Sequence, residues 1–290
     1  MKPPAFDYLR ADTLDEALEA LHQGGSDVRI LAGGQSLMPM LNMRLARPSL
    51  LVDVMHVAGL QGLAETRDAL KVGAAVRQAR VEHMPGLAER QPLLAGAIPW
   101  VGHMQTRASG TLCGSVAHAD PSAEIPLVLL ALGGSVHLRS RKRHRVLPAQ
   151  EFFIGMMATA REDDELIEAI TFPLARPDTG YAFREVGRRH GDFAIAACAA
   201  VVDRNGAKLA VGGVADVPTV RALPLPTEGS ALDDALNTFA WNLNARDDLH
   251  ATARYRRELV RRLGREVIEA AVRRRDGIAE PGPGHRGAAA

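Results

Sequence analysis

Apolar residues near the start of the chain recur every three or four positions, as they do along one face of a helix. The apolar set is Leu14, Ala17, Leu18 and Leu21. The stretch Thr13-Leu-Asp-Glu16 precedes it as a capping box, and Gly24 with Gly25 ends the helix. The apolar runs VRILAG and LLVDV then predict two strands. Residues 1–56 therefore predict a small α/β unit.

Shorter apolar runs, separated by prolines and glycines, fill the middle of the chain. ALKVGAAVR predicts a strand, and VEHMPGLAERQPLLAGAIPW predicts helical structure that prolines interrupt. Asp120 followed by Pro121 predicts an N-cap and a helix over PSAEIPLVLLAL that ends at Gly133. SVHLRS and HRVLP predict paired strands around a basic turn, and ELIEAITFP predicts another strand. These elements form a second α/β unit at residues 57–176, before the turn-forming cluster ARPDTG.

The last third of the chain has a different pattern. YAFREVG, IAACAAVVDR and AKLAVGGVA predict short strands, and Asn205-Gly206 between the last two predicts a type I′ hairpin. Two helical stretches follow, SALDDALNTFAWNLNA and ATARYRRELVRRLGREVIEAAVRRR. Residues 177–280 therefore predict an antiparallel sheet with helices, and residues 281–290 predict a disordered tail. The fold class is α+β.

Composition and charge exclude several classes of protein. The chain has 290 residues, of which 47% are apolar and 24% charged, as in ordinary globular proteins. Its net charge of +1 and its aromatic content of 4% argue against a nucleic-acid surface. The N-terminus has no apolar signal-peptide core, and no run is long enough to span a membrane. We therefore expect the protein in the cytoplasm.

The sequence predicts no metal site of its own. Cys113 and Cys198 are far apart, and two thiolates cannot hold an ordinary iron–sulfur cluster or a cysteine-rich zinc ion. The stretch His118-Ala-Asp120, with His103 nearby, has no further ligands at convincing spacing. Any metal chemistry would have to come from another chain.

The stretch AGGQS, after the strand VRIL, can be interpreted in two ways. Consecutive glycines can expose backbone N–H groups as a nest for a pyrophosphate, and Gln35 with Ser36 can add donors. Alternatively, the stretch is only a turn that ends a strand. It is not a Rossmann fingerprint, because the glycines are adjacent and Met38 stands where a third glycine would be sought. Since no GxxxxGK[ST] occurs, a P-loop is excluded.

A second glycine-rich stretch, SGTLCGS, contains the small and hydroxylated residues Thr111, Gly114 and Ser115. Two such loops in one α/β region suit a long ligand with a diphosphate in its middle. Glu124 follows shortly afterwards, and it either favours the dipole of the predicted helix or accepts hydrogen bonds from ligand hydroxyls. The spacing alone does not decide between these roles.

Taken together, these stretches resemble the FAD-binding (medium) subunits of molybdenum hydroxylases. That family includes the flavoproteins of carbon monoxide dehydrogenase and of xanthine and nicotine-type dehydrogenases, with a FAD-binding domain of the p-cresol methylhydroxylase (PCMH) type. The similar segments are AGGQSLMPMLNMRLARPSLLVDV, QTRASGTLCGSVAHADPSAEIP, EFFIGMMATAREDDELIEAITFP and GYAFREVGRRHGDFAIAACAAVV. The opening positions Phe6, Tyr8, Thr13, Glu16 and Ala17 also match. The resemblance implies a two-part FAD-binding domain followed by a C-terminal domain.

The resemblance also implies which residues contact FAD. Ala32, Gly33, Gly34, Gln35 and Ser36 would surround the diphosphate, and Thr111, Gly114 and Ser115 would form the second loop. Glu124 would contact the cofactor further along, and Phe193 would lie near the isoalloxazine. No residue of this chain is expected to be catalytic.

Three positions differ from the family pattern. Its second loop usually has two glycines and an asparagine where this chain has Cys113, Gly114 and Ser115. The carbon monoxide dehydrogenase flavoprotein has a tyrosine where this chain has Phe193, so an aromatic face is kept and a hydroxyl is lost. We expect FAD to bind with altered contacts at these positions.

The resemblance implies an electron-transfer subunit. Electrons would pass from the [2Fe–2S] clusters of a small subunit, reduced by a molybdopterin-containing large subunit, through FAD to an external acceptor. The assembly would be a dimer of heterotrimers. Two alternatives stay open: a self-sufficient FAD oxidoreductase that acts on its own organic substrate, and a non-catalytic assembly module whose glycine loops are empty turns.

Overall fold

The computed structural model describes residues 2–226 and 230–278. Its first part is a three-stranded parallel sheet in the order β1-β3-β2, with a helix between the first two strands. The elements are β1 (Asp7–Arg10), α1 (Leu14–Gly24), β2 (Val28–Leu31), α2 (Leu37–Asn42) and β3 (Leu50–Asp53). The predicted capping box is present, because Thr13 Oγ1 accepts from the Glu16 N–H at 3.2 Å and the Glu16 carboxylate accepts from the Thr13 N–H. The helix of this unit therefore begins and ends where the sequence predicts.

The second part is a five-stranded antiparallel sheet in the order β4-β5-β10-β6-β7. Its strands and a two-stranded hairpin are β4 (Leu63–Glu65), β5 (Ala69–Gly73), β6 (Ser135–Arg139), β7 (His144–Pro148), β8 (Phe153–Gly155), β9 (Ala158–Thr159) and β10 (Leu166–Pro173). Short helices connect them: α3 (Gln78–Glu82), α4 (Leu87–Arg90), α5 (Pro92–Ala97), α6 (Met104–Ser109), α7 (Leu112–His118), α8 (Glu124–Ala131) and α9 (Ala149–Phe152). The pairing of the predicted strands SVHLRS and HRVLP is confirmed by β6 and β7.

The predicted start of a helix at Asp120 is wrong. Helix α8 begins at Glu124 with Ala123 as its N-cap. The Asp120 carboxylate instead accepts from the Ser122 N–H at 2.8 Å, which closes a local turn that competes with helix initiation. Pro126 lies in the first turn of α8, where its missing N–H leaves no bond unmade. This shift makes Glu124 the first residue of the helix.

The third part is a four-stranded antiparallel sheet in the order β11-β12-β13-β14, followed by two helices. Its elements are β11 (Gly180–Val186), β12 (Ala196–Val202), β13 (Ala207–Gly212), β14 (Thr219–Leu223), α10 (Ala231–Asn242) and α11 (Ala253–Arg275). The hairpin predicted at Asn205-Gly206 joins β12 to β13, but its type I′ turn is wrong. Neither residue has the positive φ that this turn requires. The Asp203 carboxylate accepts from both of their N–H groups and shapes a longer loop.

Both faces of the third sheet are covered by other parts of the molecule. Tyr181 and Phe183 belong to a core shared with the first two parts, whereas Ala182 faces α10 and α11. Helix α8 packs against strands of the third sheet and against α5, α7 and α9, and it is buried on every side, as its apolar sequence after Glu124 requires. The carbonyl of Ala271 on α11 would overlap any side chain at Gly180, so the long helix lies directly on β11.

The predicted boundaries after residues 56 and 176 fall in connections between sheets, and they stay predictions. The predicted disordered tail, 281–290, lies outside the described residues. Within the described ranges, no helix combines the length and apolar character that crossing a membrane would require.

Candidate functional site

All ten sequence-predicted site residues line one cavity of about 730 Å³. They are Ala32, Gly33, Gly34, Gln35, Ser36, Thr111, Gly114, Ser115, Glu124 and Phe193. They come from the first, second and third parts of the fold, up to 161 positions apart in sequence. The cavity has the size of an organic ligand cleft.

The first loop follows β2 and leaves its backbone N–H groups facing no acceptor. Among the hydrogen bonds of the described residues, none has the backbone N–H of Gly33, Gly34, Gln35 or Ser36 as its donor. Gly34 has a φ of +70°, which favours glycine and turns the chain toward α2. The Gln35 side chain donates to the Gly33 carbonyl at 3.2 Å and holds the turn from within. Four neighbouring donors without acceptors form an anion-binding nest.

The second loop is pressed against the first at Gly33. A Cβ built on Gly33 would lie 2.5 Å from Gly110 Cα and closer still to the Ser109 carbonyl oxygen. The second loop is in turn fixed by its own hydroxyl, because Thr111 Oγ1 accepts from the Gly114 N–H at 3.0 Å and caps α7. Both loops therefore keep one relative position, set by backbone contact.

Cys113 lies in the wall of the cavity as a buried thiol. Its Sγ donates to the Val72 carbonyl at 3.5 Å, and burial raises the pKa of the thiol far above its ordinary value. It is therefore neutral and held against β5. The departure from the family pattern at this position adds a small, unreactive side chain to the wall.

Glu124 places a carboxyl group in the same wall. Its residue is 4% exposed, and burial raises the pKa of the carboxyl to about 7, with the charge of Asp120 adding to the shift. A buried acid of this kind can be protonated or ionised near neutral pH. It can therefore accept hydrogen bonds from ligand hydroxyl groups in either form.

Phe193 lies at the mouth of the cavity and is 62% exposed. Its loop packs against the second part of the fold, since a Cβ on Gly191 would lie 2.5 Å from the His103 ring. From behind, the buried guanidinium of Arg256 donates to the Ile195 carbonyl at 2.6 Å and to the Gly213 carbonyl. A large apolar ring is thus held at the opening with most of its surface available for contact.

Two arginines in the lining were missed by the sequence analysis. Arg29 lies on β2, and Arg161 lies in the acidic turn before β10. Arg161 donates to the carbonyls of Glu162 and Glu165 at 2.6 and 2.7 Å, and burial, together with the charge of Arg29, lowers its pKa. The sequence carries no signal for this meeting, because the two residues are 132 positions apart.

Gln78 is a third missed residue, and it supports the second loop. Its backbone N–H donates to the Gly110 carbonyl at 2.8 Å, and its buried Oε1 has no hydrogen-bond donor in the structure. An unpartnered oxygen in the cavity wall fits a ligand that brings a donor. No group of three or more His, Cys, Asp or Glu side chains within the described residues is arranged to hold a metal ion.

Two family descriptions match the chain in succession. "FAD binding domain in molybdopterin dehydrogenase" matches residues 4–175, and "CO dehydrogenase flavoprotein C-terminal domain" matches residues 181–271. The first match contains both glycine-rich loops and Glu124, and the second contains Phe193. The ten predicted site residues therefore fall within the two matches.

Relatives are similar over nearly their whole lengths. The alpha subunit of the 6-hydroxypseudooxynicotine dehydrogenase complex of Paenarthrobacter nicotinovorans is 35% identical, with 94% of this chain and 97% of the relative covered. The nicotine 6-hydroxylase medium subunit of the same organism is 36% identical, with 94% and 100% covered. The structure of reconstituted CO dehydrogenase from Oligotropha carboxidovorans matches with a TM-score of 0.89 and 30% identity, covering 94% of this chain and 100% of that one.

Proposed function

Because the chain belongs to the family of FAD-binding medium subunits of molybdenum hydroxylases, we propose that it is the electron-transfer flavoprotein of such a complex. Its cofactor is FAD. The observation that carries the proposal is the convergence of ten residues from all three parts of the fold around one cavity. The residues present fit the cofactor, because the wall offers a nest for a diphosphate, a buried carboxyl for hydroxyl groups and an aromatic ring at the mouth.

Each part of the wall has a proposed role. The unbonded N–H groups from Gly33 to Ser36 would hold the diphosphate, and Thr111, Gly114 and Ser115 would close over it from the second loop. Glu124 would accept from ligand hydroxyls, and Phe193 would cover the isoalloxazine. FAD supplies electron exchange in one- and two-electron steps. The residues of the cavity would bind and orient this cofactor.

The proposed partners are a small subunit with [2Fe–2S] clusters and a large subunit with the molybdopterin cofactor, in a dimer of heterotrimers. Two features of this chain support partners of that kind. Both cysteines are free and buried, and neither can hold a cluster. The relatives are named as one subunit of a complex or as a medium subunit. Electrons would enter from the clusters and leave to an external acceptor. A cytoplasmic location stays a prediction from the sequence.

Two measurements test the proposal. The purified chain should bind one FAD, seen as a yellow protein after reconstitution, and a chain that stays colourless would contradict it. In rapid mixing, the reconstituted chain should not be reduced by organic substrates, but should be reduced once the small and large subunits are added. Fast flavin reduction by an organic substrate with no partner present would favour the self-sufficient oxidoreductase instead.

A further inference from the structure

Two buried carboxyl groups, Glu124 and Glu185, lie close enough to interact and have no cation beside them. Glu124 is 4% exposed and Glu185 is 8% exposed. The Oε2 atom of Glu185 is buried and has no hydrogen-bond donor. Among the ion pairs of the described residues, neither glutamate takes part. A buried carboxyl without a donor or a cation is far more stable when it is protonated.

The sheet register places Glu185 on the face that meets the start of α8. Glu185 pairs with Ala197, and Ala197 pairs with Gly212 on the next strand. The following residue, Gly213, donates its N–H to the Pro121 carbonyl at 2.7 Å, just before Glu124. Glu185 shares its face with Tyr181 and Phe183, which pack into the core of the FAD-binding part. Both carboxyls therefore lie at the seam between that part and the third sheet, where the charge of Glu124 acts on Glu185.

The elements around this seam bring few other charges. Helix α5 has no titratable residue, and Cys198 on β12 faces the opposite core. Asp120 adds a further negative charge beside Glu124. His118 is half-buried with a lowered pKa. In the neighbouring loop, Arg188 forms an exposed pair with Asp192 at 4.0 Å, and Arg189 and His190 are exposed.

The same surroundings determine which of the two carboxyls, Glu124 or Glu185, ionises at the lower pH. Burial, and to a smaller extent the charge of Glu124, together raise the pKa of Glu185 to about 8. The pKa of Glu124, also raised by burial, is about 7. Two like charges in a region of low dielectric oppose each other, so the second ionisation requires a higher pH than the first.

We propose that Glu185 is a positioning residue for FAD binding: it keeps its proton so that Glu124, at the cavity wall, can carry the single negative charge of the pair. This rests on the proposed function, because the ligand whose hydroxyls Glu124 accepts from is FAD. A charged acceptor makes a stronger hydrogen bond than a neutral one. Ionised Glu185 would add a second buried negative charge behind the wall of a cavity that receives the anionic diphosphate of FAD, and like charges repel each other. FAD affinity therefore depends on two ionisations of opposite effect.

The test is the dissociation constant of FAD from the apoprotein between pH 5.5 and 9.5, followed by quenching of flavin fluorescence. For the wild type we expect the tightest binding between about pH 7 and 8, with affinity falling by up to about tenfold per pH unit on either side, as for linkage to one proton. In Glu185→Gln the affinity should no longer fall on the alkaline side of the optimum (the alkaline limb). It should still fall on the acid side (the acid limb). Glu124→Gln should remove the acid limb. Glu151→Gln, at an exposed position, is the control and should keep both limbs.

Calorimetry of the wild type tests the same idea without a variant. Binding measured in buffers of different ionisation enthalpy should show proton release at pH 6 and proton uptake at pH 9. An unchanged alkaline limb in folded Glu185→Gln, or no proton exchange at either pH, would overturn the role of Glu185. Absence of FAD binding at every pH would contradict the proposed function itself, so the two failures are distinguishable.

Discussion

At the scale of single residues, Gly33 makes the most demanding contact of the site. A side chain there would overlap the backbone of Ser109 and Gly110, which cannot rotate away as a side chain could. Gly33→Val should therefore push the two loops apart and weaken FAD binding by at least about tenfold, or about 1.4 kcal/mol. The measurement is a fluorescence titration of the apoprotein with FAD.

Gly59→Val is the matched control for this change, because no atom lies within 4 Å of a Cβ built on Gly59. It should bind FAD with the affinity of the wild type. If Gly33→Val also bound normally while remaining folded, the glycine loops would be ordinary turns. The proposed diphosphate nest would then be wrong, although the chain would still bind FAD.

The buried acid Glu185 makes stability depend on pH. Its pKa is raised to about 8 in the folded protein from an ordinary value of 4.5, so the folded state binds this proton more tightly than the unfolded state. The free energy of unfolding should therefore decrease as pH rises from about 4.5 toward 8. Gln has nearly the same shape as a protonated Glu side chain, but it cannot ionise. Glu185→Gln should match the wild type near pH 4.5 and exceed it at pH 8 by roughly 4 kcal/mol.

Denaturant unfolding at both pH values measures this difference, with Glu151→Gln as the exposed control. Equal pH dependence in the wild type and in Glu185→Gln would show that Glu185 ionises normally. The experiment needs no cofactor, so it separates the ionisation of this residue from its proposed role in FAD binding.

The sequence was informative about this site where functional residues stand close together in the chain. The two loops could be recognised because small residues and hydroxyls cluster at Gly33 and Thr111, and small residues have few other reasons to cluster after a strand. Glu185 and Arg161 stand alone among residues of ordinary pattern. Their importance arises from burial, which depends on how the third sheet and the turn before β10 pack against distant segments.

At the scale of secondary-structure elements, Arg256 on α11 joins the long helix to the loop that carries Phe193. Its guanidinium is buried and donates to the carbonyls of Ile195 and Gly213 and to the carboxylate of Asp248. Arg256→Met would leave two buried carbonyls without donors, each worth about 1–3 kcal/mol. We expect a loss of roughly 3 kcal/mol in unfolding free energy, measured by urea denaturation.

Arg262→Met on the same helix is the control. Arg262 is exposed and pairs with Glu258 at 2.6 Å, a surface contact worth about 1 kcal/mol or less. Similar losses from both changes would mean that the buried bonds of Arg256 add nothing beyond a surface ion pair.

Two elements differ from the sequence prediction for one physical reason. Asp120 was expected to begin a helix and Asn205-Gly206 to form a type I′ turn. In each case an aspartate side chain accepts from backbone N–H groups two or three residues later and fixes a local turn of its own. Helix and hairpin patterns identified which elements exist. They could not predict which of two competing local hydrogen bonds forms, since both use the same residue types.

At the scale of the whole molecule, the FAD-binding part and the third sheet share one core. Buried residues from β5, α8, β11 and β12 form a single apolar cluster. Helix α8 contacts β12 and β13 of the third sheet as well as α7 of the FAD-binding part. The cavity wall likewise takes residues from all three parts. Binding and folding should therefore be coupled across the chain, because no part completes the cavity by itself.

The two cysteines allow this coupling to be measured. Cys113 lies in the shared core and Cys198 in the core beneath α10 and α11, and burial raises the pKa of both thiols. Neither should react with a thiol reagent in the folded protein. Cys198→Ala leaves Cys113 as the reporter, and Cys113→Ala leaves Cys198. Because the parts share a core, both reporters should become reactive at the same urea concentration.

FAD sharpens the comparison, because a ligand that binds only the folded state stabilises whatever unfolds with its site. At a free concentration of 100 times its dissociation constant, FAD should add about 2.7 kcal/mol and slow the labelling of both thiols about 100-fold. Labelling in full denaturant, where both thiols must react equally, normalises the rates. Protection of Cys113 without protection of Cys198 would show that the third sheet opens independently. In that case the Phe193 loop could leave the cavity wall, and Glu185 could leave the seam beside Glu124, while the glycine loops stay folded; this seam would then act as a hinge.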